Sequence, residues 1–441
     1  MRIAVIGGGL MGMALAYYLS ESSHEITVLE QSAQVGGHHG TLKLDIDLSV
    51  GRFQHYILPG DRALLDLIKQ LGLADDLQYF PAHSGFIHNG DIHPMKTVWD
   101  FLTFAPLRRR DRLRMGHTIL QARLAGNWRA LDGIPVKEWL IDVGGENNFN
   151  LIWSPLLEAK FDNEFDNVPA TFIWSWLNRM SATRSGLQMK ATISHLRHGP
   201  AALIDALASR ITARGGSIIT NTRVREIEIQ DGQLGRLRAH TGVLEFDMVI
   251  GAVPTPDFSR LLLSADGRYL QQLEESRYLG LVCPALVLDR PLSNYWTLNL
   301  TDPSSPFASI VETPHPLDPR YHIVYLPKYT ASGNDWMGVS DETILDAWLL
   351  RLRQIYPGFR PEHIIHQAVS RSRYVDPLHA LHAADNLPPV LSPYTGLFLA
   401  NSSQVYPQVA TSSAVITHAQ TVARMVLAHS QQVLPNHHIA A

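Results

Sequence analysis

Cysteine is all but missing from the 441-residue chain: Cys283 stands alone, which excludes an intrachain disulfide and suits a reducing compartment. It lies in the apolar run 279–288, where a packed and inert thiol is the plainer reading. Long hydrophobic runs are missing too. No apolar stretch approaches the roughly 18 residues that a membrane-crossing helix needs. The opening MRIAVIGGGLMGMALAYYL begins as a leader peptide does, but its apolar run stops at three glycines and no small-residue cleavage pattern follows. The expected location is the cytoplasm. Charge of one sign is also scarce: the net charge is −4 and the pI is near 6.6, so no global field draws the protein to nucleic acid. Repeats and low-complexity tracts are absent. What remains is an ordinary globular balance, 45% hydrophobic and 18% charged, in a chain long enough for two domains or one domain with a large insertion. The 21 histidines include the pairs His363/His366 and His379/His382. Neither pair belongs to a complete ligand set, and no metal is expected.

The first forty residues carry the chemistry. Residues 3–6 form a short apolar run, Gly7-Gly8-Gly9-Leu10-Met11-Gly12 follows, and residues 13–19 are good helix formers. The sequence predicts strand, turn and helix, then a second strand over EITVLE ending at Glu30. Gly7 permits the tight turn, Gly9 lets backbone approach a pyrophosphate, and Gly12 lets the helix pack closely on the strand. The phosphates would then sit at the helix N-terminus. Glu30, 18 residues after Gly12, is placed to accept from both ribose hydroxyls of an adenosine and to repel a 2′-phosphate, so FAD or NAD is favoured over NADP. Gly36-Gly37 favours FAD if its amides meet the pyrophosphate from the other side. An ordinary turn after a strand is the rival reading, and the pair alone does not separate the two.

These residues resemble a known family. The run VIGGGLMGMALAYYLSESSHEITVLEQSAQVGG is similar to the N-terminus of the FAD-dependent amine oxidase, protoporphyrinogen oxidase and phytoene desaturase superfamily. The similarity continues in HGPAALIDALASRITARGGSIITNTRVREIEI, in FDMVIGAVP and in GLFLANSSQVYPQVATSSAVITHAQTVA. It implies an α/β fold: a Rossmann-like FAD-binding domain with an inserted α+β substrate domain. The FAD domain would comprise residues 1–60, 198–278 and 385–430, the substrate domain 61–197 and 279–384, and residues 431–441 a flexible tail. The cofactor residues implied are Gly7, Gly9, Leu10, Met11, Gly12, Glu30, Gln31, Gly36, Gly37 and His38, with Val224 at the adenine. Asn401 and Ser402 stand where relatives place a glycine and an aspartate beside the ribityl chain, an arrangement nearer the branch of UDP-galactopyranose mutase-like proteins. His38-His39 replace an arginine that relatives commonly place on the pyrophosphate, and imidazole makes no forked contact. A helix from about Ser412 would point its N-terminus at the flavin.

Two residues are candidates for chemistry. His55 matches a histidine of the nearer branch and either moves a proton or holds an anion beside the flavin, or is a structural imidazole bonded to backbone. Lys160, in a PLLxxKF element, either orients a water toward flavin N5 or forms a salt bridge with Glu158 or Asp162. The basic run Arg108-Arg109-Arg110-Asp111-Arg112-Leu113-Arg114 follows an apolar stretch with Trp99, Phe101 and Phe104. It is either a solvated face or a peripheral contact with an anionic membrane. The resemblance implies an FAD-dependent oxidoreductase, an oxidase, dehydrogenase or desaturase that takes hydride onto N5. Its apolar, aromatic middle suggests a hydrophobic small-molecule or biosynthetic substrate. A redox-neutral isomerase or mutase is the alternative enzyme class, and a non-catalytic flavin-binding partner protein the alternative outside catalysis.

Overall fold

A computed structural model describes residues 1–433 apart from 43, 45–47, 96–99, 101–102, 182–191, 303–304 and 332–334. Trp99, Phe101 and most of the expected tail therefore lie outside the described residues, although the last helix, Ser412–Val433, reaches past position 430.

The centre of the cofactor half is a five-stranded parallel sheet. Its order across the sheet is Leu397–Leu399, Met248–Gly251, Arg2–Ile6, Glu25–Leu29 and Ser217–Ile219. Arg2–Ile6 and Glu25–Leu29 each show four fully buried residues in a row, as strands covered on both faces must. One face is covered by three helices. Leu10–Leu19, Ala201–Ala213 and Ser412–Val433 share a single apolar cluster that includes Leu15, Leu207 and Val422. The spacing of Leu203, Leu207 and Ile211 puts all three on the buried side of the second of these helices. A three-stranded antiparallel sheet, Val224–Gln230, Gln233–Ala239 and Gly242–Leu244, lies with the other face.

The other half is built on an eight-stranded mixed sheet. Its spine is Arg277–Leu288, eleven of whose twelve residues are buried, paired on one side with the long strand Ile364–Leu378 and on the other with His322–Tyr325 and Lys328–Thr330. Cys283 lies inside this spine, and burial pushes its thiol pKa up, which keeps it protonated and inert. The helix Asp341–Ile355 covers one face through Ile344, Trp348 and Leu352. The inserted segment before it is largely helical: Arg109–Leu124, Val136–Gly144, Ser154–Phe161 and Thr171–Ser181 enclose their own apolar cluster. That insertion is not wholly helical, because Ser84–His88 and Asp91–Pro94 leave it to extend the eight-stranded sheet.

Candidate active site

The opening turn is fixed by what a Cβ would strike. Gly7 has φ +109°, and a side chain there would meet the Ala252 carbonyl oxygen at 2.7 Å. At Gly12 the Cβ would fall 1.9 Å from the Gly7 carbonyl oxygen, so only glycine lets the helix sit this close to the strand. Gly9 differs: a Cβ there meets nothing within 4 Å. The helix Leu10–Leu19 begins at Gly9 with no side chain capping it, which leaves the first-turn amides, those of Leu10, Met11 and Gly12 among them, without a side-chain partner, the arrangement in which a helix N-terminus takes an anion.

The second glycine pair closes the same groove. The Gly36 amide donates to the Gly8 carbonyl at 2.8 Å, and a Cβ on Gly37 would come within 3.3 Å of the Gly9 Cα. Both residues have positive φ. Glu30 ties the walls together: its Oε2 accepts from the Gly8 amide at 2.7 Å and its Oε1 from the Ser32 amide at 2.8 Å. Each carboxylate oxygen keeps a further lone pair. Thr222 donates its amide to the Glu30 carbonyl, Gln31 accepts from Arg223 at 3.1 Å, and Val224 is buried beside them. Glu30 and Gln31 thus lie beside Val224, which is far from them in sequence, at one end of the groove.

At the other end four imidazoles cluster. His38 Nε2 lies 2.8 Å from Ser372 Oγ, and His39 Nε2 lies 3.1 Å from Ser412 Oγ. The His39 ring stacks on His55 at 4.0 Å, and His55 Nε2 donates to the His38 carbonyl at 2.9 Å. Burial, with the neighbouring His55, lowers His38 to about 4. Burial also lowers His39, His55 and His195, the last to about 4. At neutral pH this cluster is uncharged. His55 is therefore a neutral donor to backbone, placed in the wall of a small cavity of about 70 Å³. The cation missing at position 38 stands nearby in Arg52, whose Cδ lies 3.5 Å from where a Cβ on Gly40 would be. Sequence reading passed over Arg52, although Gly51-Arg52 directly precedes the stretch that contains His55.

The C-terminal element adds two features. Asn401 donates from Nδ2 to the Val253 carbonyl at 3.0 Å and to Thr255 Oγ1 at 2.9 Å, while its Oδ1 accepts from Ser403. The side chain thereby ties the ends of strands Met248–Gly251 and Leu397–Leu399 together. Ser402 sits beside it and contacts the Tyr278 hydroxyl. The Thr411 hydroxyl accepts from the Ala414 amide at 3.2 Å at the start of Ser412–Val433, so the positive end of that helix faces His39 and a second, larger cavity.

This cavity measures about 810 Å³, and Thr411, Phe172 and Trp176 are among its walls. Lys160 lies in the wall, ion-paired with Asp376 and with its ammonium 3.7 Å from the centre of the Tyr329 ring. Glu158 and Asp162, the partners suggested by proximity in sequence, are engaged elsewhere: Glu158 accepts from Ser154 at 2.7 Å, and Asp162 lies 3.7 Å from Lys328. Burial opposes the charge on Lys160, but the Asp376 carboxylate outweighs it and raises the lysine above its usual range. Asp376 and Ser372 belong to the same strand, Ile364–Leu378, and the Asp376 charge acts on His38. The imidazole end of the groove and the cavity therefore share a wall. A second cation, Arg179, donates to Asp61 at 3.0 Å and to the Tyr56 hydroxyl at 3.2 Å.

Comparison with known proteins identifies the family and the fold. The family model described as flavin containing amine oxidoreductase matches residues 10–427. A curated relative, 15-cis-phytoene desaturase from Synechococcus elongatus, is 22% identical over 98% of this chain and 97% of its own. Among solved structures, an oxidoreductase from Methanosarcina mazei superposes with a TM-score of 0.75 at 20% identity, over 96% of this chain and 99% of that one. Reduced UDP-galactopyranose mutase superposes with a TM-score of 0.74 at 13% identity, over 97% and 95%. At these identities the superpositions speak to the fold alone.

Proposed function

The chain belongs to the flavin containing amine oxidoreductase family, and from that membership we propose that it removes hydride from a hydrophobic small molecule held in the cavity beside Lys160. The protein is a flavin-dependent oxidoreductase, and its cofactor is FAD. Bound FAD supplies the two-electron acceptor. The chain's own work is to hold, orient and exclude water.

Residues 1–60, 198–278 and 385–430 form the cofactor-binding unit in this reading, and 61–197 with 279–384 the substrate unit. Amides of Leu10, Met11 and Gly12 take the pyrophosphate across Gly9, the turn at Gly36, Gly37 and His38 takes its other side, and Arg52 offers the charge that His38 lacks. Glu30 and Gln31 take the adenosine sugar with Val224 against the base. Ser402 and the backbone held by Asn401 face the ribityl chain. His55 positions the His38 carbonyl and acts through it.

The observation that carries the proposal is the Lys160–Asp376 pair in the wall of a cavity lined mainly by apolar and aromatic side chains. Held protonated, Lys160 does not take a proton. It stabilises negative charge, or orients a water, at one end of a largely apolar chamber where electrostatic effects are larger than in water. The lining suits an apolar substrate, and the relative named as a desaturase of phytoene supports that class. A mutase acting on a sugar nucleotide fits less well, because the cavity's buried cations Lys160 and Arg179 already carry carboxylate partners.

Anaerobic mixing of the FAD-loaded protein with hydrophobic candidate substrates tests the reading. Bleaching of the visible flavin band with a product two hydrogens lighter is expected. An isomer of unchanged mass would move the protein to the mutase class, and inertness toward every substrate and reductant would favour a non-catalytic flavoprotein.

A further inference from the structure

The helix Arg109–Leu124 buries one face and carries exposed leucines on the opposite one. Asp111, Met115, Thr118 and Ala122 are its buried residues and lie along one side. On the other side Leu113, Leu120 and Leu124 are 71%, 51% and 68% exposed. At about 100° per residue these three leucines fall within about 40° of one another, roughly opposite the buried face. Three leucines aligned on the solvent side of one helix are not the scattered apolar exposure of an ordinary surface.

Cations flank the ridge. Arg108, Arg109, Arg110, Arg114 and Arg123 are exposed, and the one acid of the helix, Asp111, is buried, where it accepts from Asn147 at 2.8 Å and lies 3.6 Å from Arg110. The acids of the next helix, Val136–Gly144, lie behind, since that helix packs on the buried side, where a Cβ on Gly144 would meet Thr118 at 2.8 Å. The same helix walls the large cavity through Met115 and Ile119, and exposed Arg123 also lines it. The cavity therefore reaches solvent at the C-terminal end of the helix, beside Leu124.

We propose that this face docks on an anionic lipid bilayer, with the leucine ridge in the interfacial layer, the arginines on the headgroups and the cavity mouth set against the membrane. Charge complementarity selects the partner: in a chain of net charge −4, five exposed arginines border one apolar ridge, the pattern that an interfacial helix presents. The functional meaning rests on the hydrophobic-substrate reading, because a lipophilic molecule would then enter from the bilayer without crossing water. The docking itself does not need it.

The FAD-loaded full chain would be sedimented with vesicles of equal phosphatidylglycerol and phosphatidylcholine, and with phosphatidylcholine alone, at low salt. Binding to the anionic vesicles is expected, several-fold weaker on the neutral ones. Replacing the ridge in Leu113→Gln/Leu120→Gln/Leu124→Gln lowers partitioning by roughly tenfold or more, and Arg109→Glu/Arg110→Glu/Arg114→Glu removes the preference for anionic lipid. Both variants change exposed residues and keep the flavin spectrum. Equal binding to the two vesicle types, or partitioning unchanged by the leucine variant, overturns the proposal. So does a dimer by light scattering that the leucine variant dissolves, which would assign the ridge to a second copy. None of these readouts involves turnover, so loss of docking leaves the redox reading standing.

Discussion

The cofactor groove and the substrate cavity are built by opposite means. The groove is made of backbone: Gly7 and Gly12 have no room for a Cβ, Gly36 and Gly37 have positive φ, and the Gly36 amide reaches the Gly8 carbonyl across a few tens of residues of chain. The cavity is made of side chains brought together by strand pairing and helix packing, and Lys160 and its partner Asp376 are 216 residues apart. A site of the first kind is brittle to any added atom and indifferent to most side-chain chemistry. One of the second kind tolerates volume changes but depends on which charge faces which.

The sharpest break of that contrast is Gly12→Ala. With a Cβ 1.9 Å from the Gly7 carbonyl oxygen, the helix must move off the strand, and FAD affinity is expected to fall on the order of a thousandfold. Titration of the apoprotein with FAD, alongside far-ultraviolet circular dichroism to confirm folding, measures it. Retained affinity would mean that the groove is not the phosphate site. On the cavity side, Asp376→Asn leaves the Lys160 ammonium partly buried without its carboxylate, at an expected cost of about 3 kcal/mol in unfolding free energy. The double variant Lys160→Met/Asp376→Leu should recover most of that stability, bind FAD normally and still fail to reduce it with substrate. Denaturant melts and stopped-flow flavin reduction separate the two effects.

Acid tests the place where the regions touch. His38 is lowered to about 4 by burial, from an ordinary value of 6.5. Between those values the unfolded chain binds the proton and the folded chain does not, so its contribution to stability is complete above pH 6.5 and is lost as pH falls toward 4. At pH 5 the loss from this one group is about 2 kcal/mol. Melting temperature should drop across that window, and His38→Gln should make the drop shallower. An unchanged slope would remove His38 from the account. The smallest effect is expected of Arg52→Gln, about a tenfold weaker FAD affinity whose deficit shrinks as salt rises, if Arg52 supplies the charge on the pyrophosphate.

The same contrast explains what could be read beforehand. The strand, glycine turn, helix and following strand are legible in residues 1–30 because each is set by local sterics and apolar pattern. The helices over residues 201–213 and 171–181 are similarly visible from spacing and a preceding proline. Strand Ile364–Leu378 is not. Most of its residues are half-buried, without the alternation that marks a strand in sequence, and only its long pairing with Arg277–Leu288 makes it part of the spine. Lys160 stood out in the sequence, yet its partner did not, because local acids compete on paper with one that arrives through tertiary folding. Asn401 shows the converse. Its place in the motif makes it prominent in the sequence, while its four hydrogen bonds to Val253, Thr255 and Ser403 arise only through folding.

One feature of the parallel sheet bears on how the protein is made. Strand Arg2–Ile6 lies at its middle, yet its neighbour Met248–Gly251 and the edge Leu397–Leu399 come from much later in the chain. During translation the first glycine turn leaves the ribosome long before the segments that brace it, and parallel pairings of such separation are slow to form. A complete groove must then await those later strands, and FAD would act as a clasp between parts of one sheet that are synthesised far apart in time.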